Sequence, residues 1–175
     1  MYEYIPNPPK KKAKTVGMTL FVLSLVIFFV SGIAGMAYPA ILQTVAVVMM
    51  TAAILIVGKF LTRAYRYRVE KTGGEYEFIV DEISKTSMVT VCRLELAKLC
   101  KIEPWTKGYK PPKDARIYNY CVDIAPADSY LLTFLDGAFS VNGENIYVRI
   151  SPDEKLTEIL EGFLTQNKGG AADEL

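Results

Sequence analysis

The chain has 175 residues, with 20 Lys and Arg against 19 Asp and Glu, three cysteines and no histidine. Without a basic excess in the part after Leu61, a nucleic-acid partner is not expected, and the missing histidine removes the commonest general base and transition-metal ligand. Cys92, Cys100 and Cys121 form no Cys-x-x-Cys pair, so neither a zinc site nor a redox dithiol is indicated, and no cofactor or catalytic residue is expected.

Residues 1–15 read as a cytoplasmic basic tail. Pro6, Pro8 and Pro9 oppose a helix there, and Lys10, Lys11, Lys12 and Lys14 stand directly before an apolar run. Residues 16–61 read as a transmembrane helical hairpin. Its two runs, 16–37 and 40–58, contain no Asp, Glu, Lys or Arg, and each is long enough to cross a bilayer core as a helix. Only Tyr38 and Pro39 separate them. The four lysines before the first run, and Lys59, Arg63, Arg66 and Arg68 after the second, mark the cytoplasmic side. A two-pass integral membrane protein is therefore expected, with both termini cytoplasmic and Tyr38 and Pro39 at the outer turn. A cleaved signal peptide is disfavoured because the first run is too long and a second follows at once. A buried hairpin in a soluble protein is disfavoured because the remaining chain is too small to cover two helices that are apolar all round.

Gly17, Ser24 and Ser31 recur at heptad spacing, with Gly35 one turn beyond, and Ala46 and Ala53 do the same in the second run. Small residues let helix backbones approach closely in lipid. The two stripes either face each other within one hairpin or, through Ser31-x-x-x-Gly35, mediate oligomerisation. With no ionisable group inside the runs, the hairpin reads as an anchor rather than an ion path.

After Leu61 the pattern alternates, as in strands. Tyr65, Tyr67 and Val69 share one face while Arg66, Arg68 and Glu70 share the other. Thr72-Gly73-Gly74 supplies a turn, and Tyr76, Phe78 and Val80 then alternate with Glu75, Glu77 and Asp81. A third strand over 88–96 and a fourth over 98–103 place Cys92 with Leu94 and Leu96, and Cys100 with Ile102, so both thiols are expected in the core. The loop 104–114 carries Trp105, Lys107, Tyr109, Lys110 and Lys113, a mixture suited to an anionic membrane interface; otherwise Trp105 folds back onto the core. A fifth strand, 116–124, puts Cys121 on its polar face as the thiol expected to be exposed. Two more strands, 130–135 and 144–150, precede a closing helix. For that helix Ser151 is the expected N-cap, Pro152 the first residue, Glu154 the partner in a capping box, and Leu156, Ile159, Leu160, Phe163 and Leu164 the apolar stripe. Residues 62–168 make one domain, and 169–175 are expected to be a disordered tail.

The order of a two-helix hairpin, strands opening with Tyr65-Arg66-Tyr67-Arg68-Val69, and a terminal helix opening with Ser151-Pro152-Asp153-Glu154 resembles the bacterial membrane-anchored pleckstrin-homology-like proteins, among them those called YcxB-like. The resemblance implies a membrane α-helical hairpin followed by an α+β, mainly antiparallel β domain, pleckstrin-homology-like, with about seven strands and a C-terminal capping helix. It implies a non-enzymatic interaction or scaffold module that binds a protein or peptide partner or assembles with itself. The alternative is a peripheral contact with anionic membrane lipids through the lysines and the Trp105 loop. An accessory subunit of a membrane transport complex and an enzyme rank below both. Phosphoinositide-binding relatives grip phosphate with several basic residues in the first strand pair and its loop; here that loop offers Lys71 beside Glu75, which does not support an inositol-phosphate site.

Overall fold

The structure is a computed structural model and describes residues 1–7, 12–33, 38–106, 116–126, 128–135 and 145–170. The chain divides into two compact units. One holds Pro8–Arg63 with Asp123–Ala125, and the other holds Met1–Asn7, Ala64–Val122 and Pro126–Leu175.

The first unit is a pair of helices, α1 (Lys12–Ser31) and α2 (Pro39–Phe60). At 1.5 Å per residue they measure about 30 and 33 Å, and both are long and apolar enough to cross a membrane. α1 starts within the lysine cluster and stops at Ser31, short of the expected 37. Its last bonds tighten to the three-residue spacing at Gly32 and Ile33, whose N–H groups reach Phe29 O and Val30 O. Tyr38 is left-handed, with φ 57°, and precedes Pro39, a position from which right-handed helix is disfavoured. It therefore begins α2 rather than continuing α1. The opening of α1 is capped by Asp123, whose carboxylate accepts from the Lys12 and Ala13 N–H groups, each at 2.7 Å. This satisfies two orphan donors and places negative charge at the positive end of the helix dipole.

Among its described residues the second unit contains eight strands, a 3-10 turn and one helix: β1 (Tyr2–Tyr4), β2 (Ala64–Thr72), β3 (Glu75–Ile83), β4 (Met88–Glu95), the turn Leu96–Lys98, β5 (Leu99–Pro104), β6 (Ile117–Asn119), β7 (Tyr130–Phe134), β8 (Ile146–Ile150) and α3 (Glu154–Gly170). One sheet runs β1-β2-β3-β4, all antiparallel; the other runs β5-β7-β8-β6, with β6 parallel to β8. The core joins the inner faces of both sheets to α3. Tyr65, Tyr67, Val69, Phe78 and Val80 meet Leu132, Phe134, Val148, Ile150, Leu156 and Leu160, with Ile159, Phe163 and Leu164 packed at its margin. The α+β layout and the apolar stripe of the closing helix agree with the pattern read from the sequence.

Several local expectations are corrected. Tyr2–Tyr4, read as part of a solvated tail, is an edge strand paired with β2, Tyr4 opposite Tyr67. Cys121, expected to be exposed, is the most buried thiol, 2% accessible. Regular pairing of β6 ends at Asn119, and the chain bends through 122–125, so the alternation that placed Cys121 outward does not continue. Cys100 lies outside the core because a register shift between Leu99 and Lys101 changes the parity, leaving Leu99 and Ile102 to face inward. Finally, α3 starts at Glu154, so Pro152 precedes the helix and Glu154 is its first residue rather than the partner in a capping box; the cap is Asp153, which accepts from Leu156 N–H at 2.9 Å. Ser151 Oγ is buried without a nitrogen or oxygen partner, and its backbone N–H bonds instead to Tyr67. Of the tail expected over 169–175, residues 169 and 170 are instead the last of α3, which runs on to Gly170; residues 171–175 lie outside the described residues.

β1 is fastened by the Tyr2 hydroxyl donating to Asp153, by Glu3 pairing with Arg66 at 3.3 Å, and by the Tyr4 ring tilted at 43° against that of Tyr67. Burial and the Asp153 carboxylate push the Tyr2 phenol up to about 12. Deleting residues 1–5 from the full chain should lower stability by about 2 kcal/mol, the sum of a hydrogen bond and cross-strand contacts. A thermal melt unchanged by the deletion would show that β1 contributes nothing.

Candidate functional site

The polar face of the first sheet is organised around Asp81. This residue is 1% accessible, and its carboxylate accepts from Arg66 Nη2 at 2.8 Å, Arg68 Nε at 2.8 Å and Thr90 Oγ1 at 2.7 Å. Burial alone would raise its pKa; the bonds from Thr90, Arg68 and Arg66 outweigh that and hold it below the ordinary 3.8. Arg68 also pairs with Glu70. The alternation puts Arg66, Arg68, Glu70 and Asp81 on the faces opposite the apolar ones, but the arginines fold over the Asp81 carboxylate and close it from water. Every charge in this cluster has an opposite partner, so its role is to fix β2, β3 and β4 together.

Among the described residues β4 is the last strand of that sheet, at its far edge. Its first four residues, Met88-Val89-Thr90-Val91, carry no charge, and Met88 and Val89 are each 56% accessible. A bulge between Val80 and Asp81 shifts the pairing, so that Val80 faces Cys92 and Asp81 faces Thr90, with Val91 as the additional residue. Tyr120 Oη donates to Val91 O at 3.1 Å, while on the sheet face Thr90 is held by Asp81. The result is an anchored strand edge whose residues 88–91 carry no charge of their own, with the Val91 carbonyl taken by Tyr120 and Met88 Sδ reached by Arg66 Nη2 at 2.8 Å; the rest of that edge has the geometry to which an extended chain adds by main-chain pairing. The sequence pattern identifies this strand, but its edge position follows from pairing that no local signal encodes. The available signal was the run of β-branched residues with no lysine or proline to guard it.

Cys92 and Cys121 are poorly suited to nucleophilic chemistry. Burial pushes Cys92 up to about 11, against a smaller opposing effect of Tyr120. Burial also raises Cys121, only partly offset by the neighbouring Ser151 and Arg149. Among the described residues no cluster of three metal-ligating side chains occurs.

Trp105 lies against the second sheet. The Arg149 guanidinium sits 4.4 Å from its ring centroid, and its backbone N–H donates to Ser129 O at 2.7 Å. Arg149 also donates to Ser129 Oγ at 2.9 Å. Lys107, Tyr109, Lys110 and Lys113 lie outside the described residues, as do Lys10, Lys11 and Gly35. Lys12 and Lys14 occupy the first turn of α1, both exposed. Gly17, Ser24 and Ser31 are buried in α1, and Ala46 and Ala53 in α2. A Cβ at Gly17 would come 3.2 Å from Val57 Cγ2 and 3.9 Å from Ala53 O, so the glycine sits directly against α2. The serines return their hydroxyls to their own helix, at Phe21 O and Phe28 O. No family model, curated protein or solved structure matches the chain.

Proposed function

We propose that the chain is a non-enzymatic, two-pass membrane-anchored module, both termini cytoplasmic, whose β unit takes up an extended segment of a protein partner along β4. The observation that carries this reading is the uncharged edge at Met88–Val91, with two side chains more than half exposed on a strand rigidly held from behind. The absence of charged residues in 16–58 and the cations flanking that stretch support the anchor and its orientation. Two sheets closed by a C-terminal helix support a pleckstrin-homology-like β domain of the YcxB-like kind, here extended by β1 and carrying a parallel β6 at one edge. Membrane lipids would surround α1 and α2 in this reading.

A photo-crosslinker at Met88 of the full-length protein in its membrane should yield one discrete adduct, lost when Val91→Lys places a charge on the edge. A crosslinker at Tyr76, also exposed but away from that edge, should yield none. An adduct of twice the chain's mass would replace the partner by a second copy. No adduct at Met88, or one indifferent to Val91→Lys, would overturn the proposal.

A further inference from the structure

We infer that the helical unit carries a binding site for one anionic phospholipid, in a groove between α1 and α2. The groove encloses about 480 Å³ and runs from Lys14 past Gly17 to Phe21 on α1, and along Ile54, Gly58 and Leu61 on α2. Gly17 lets the helices touch at its floor, whereas a Cβ at Gly58 would meet no atom within 4 Å, so Gly58 leaves the wall open. The groove is therefore a hollow beside the helix contact and not part of the contact itself. Its walls are apolar except at one end, where Lys14 stands exposed and forms no ion pair among the described residues.

That gradient of polarity selects the occupant. Lys14 to Phe21 spans about 10 Å of helix, so a phosphate held by the ammonium places an acyl chain along the apolar length, parallel to the helix. The cationic end of the unit is also where an interface would lie, since Lys12, Lys14 and Lys59 outnumber the capping Asp123 there and the described residues at the other end, Ser31–Ile33 and Tyr38, carry no charge. A second copy seated in the same groove would bring its own Lys14 into the apolar contact, adding repulsion between like charges. An anionic phospholipid satisfies both the hollow and the charge. The site rests on the membrane-anchor part of the proposed function but uses no residue of the β4 edge, so failure of the lipid site and failure of the partner-binding reading are distinguishable.

The test is native mass spectrometry of the full chain released from nanodiscs of mixed phosphatidylglycerol and phosphatidylcholine. The wild type should retain one phosphatidylglycerol in preference to phosphatidylcholine. Lys14→Gln should reduce that preference about fivefold, the effect of one cation near the membrane surface, while Lys14→Arg keeps it. Gly58→Leu, whose side chain enters the groove, should lose bound lipid of both kinds. Equal retention of the two lipids by the wild type, a preference unchanged in Lys14→Gln, or full retention by Gly58→Leu would overturn the inference. So would efficient crosslinking of Ile54→Cys to a second copy, which would show protein in the groove.

Discussion

Replacing Asp81 by asparagine should lower stability at pH 7 by about 3 kcal/mol, the cost of breaking a buried ion pair by removing one partner. For a unit of this size that corresponds to a fall in melting temperature on the order of 15 °C. The expectation rests on asymmetry. Asp81 alone is closed from water, its side chain 2% accessible, while Arg66 and Arg68 keep 17% and 18% of theirs. The arginines of the variant can recover some hydration, which keeps the cost near the lower end for a buried pair; Thr90 and the two guanidinium groups nonetheless lose their common acceptor. The pH dependence has a definite sign. The folded-state pKa of Asp81 lies below its ordinary 3.8, so its contribution is fully present above about pH 4 and is lost as pH falls through the folded value. Wild type and Asp81→Asn should therefore differ most near neutrality and converge in acid. Equal melting temperatures at pH 7, or a gap that survives undiminished to strongly acid pH, would show that the cluster does not hold the three strands together.

Where the sequence was legible, one local rule sufficed. Uncharged runs of membrane length marked α1 and α2, alternation marked β2 and β3, and a 3.6-residue apolar stripe marked the face of α3. The failures came where a distant partner decides the outcome. Tyr2–Tyr4 is too short to show alternation and becomes a strand because β2 offers it an edge and Asp153 receives its first tyrosine. Ser151-Pro152-Asp153-Glu154 contains two possible caps. Ser151 lost because its backbone N–H is claimed by Tyr67, which leaves Asp153 to start the helix. The parity of Cys100 was reversed by one register shift, invisible in composition. The same limit applies to the candidate sites: the residues of the β4 edge and of the Lys14 groove are ordinary in sequence, and only pairing order and the glycine-made hollow distinguish them.

Tyr67 is the point at which several of these long-range decisions meet, and its removal should have the largest effect of all. The side chain is wholly buried; its hydroxyl donates to Tyr120 O at 2.9 Å and accepts from Ser151 N–H at 3.3 Å, while its ring lies 6.3 Å from both Tyr4 and Phe78. One residue of β2 thereby ties β1, the end of β6 and the approach to α3 into a single core. Tyr67→Phe should cost about 2 kcal/mol, because two backbone groups lose their partner while the packing is kept. Tyr67→Ala should cost about 4 kcal/mol or more, since a large cavity is added. Burial pushes the Tyr67 phenol well above its ordinary 10, so the folded protein keeps it neutral in alkali while the unfolded chain ionises. Its stabilisation is complete below pH 10 and declines as pH rises toward the folded value. Tyr67→Phe should accordingly flatten the alkaline limb of a stability–pH profile as well as lower its plateau. A phenylalanine variant with a wild-type plateau would mean that Tyr120 and Ser151 find other partners, and the hydroxyl would then be a passenger in the core rather than its junction.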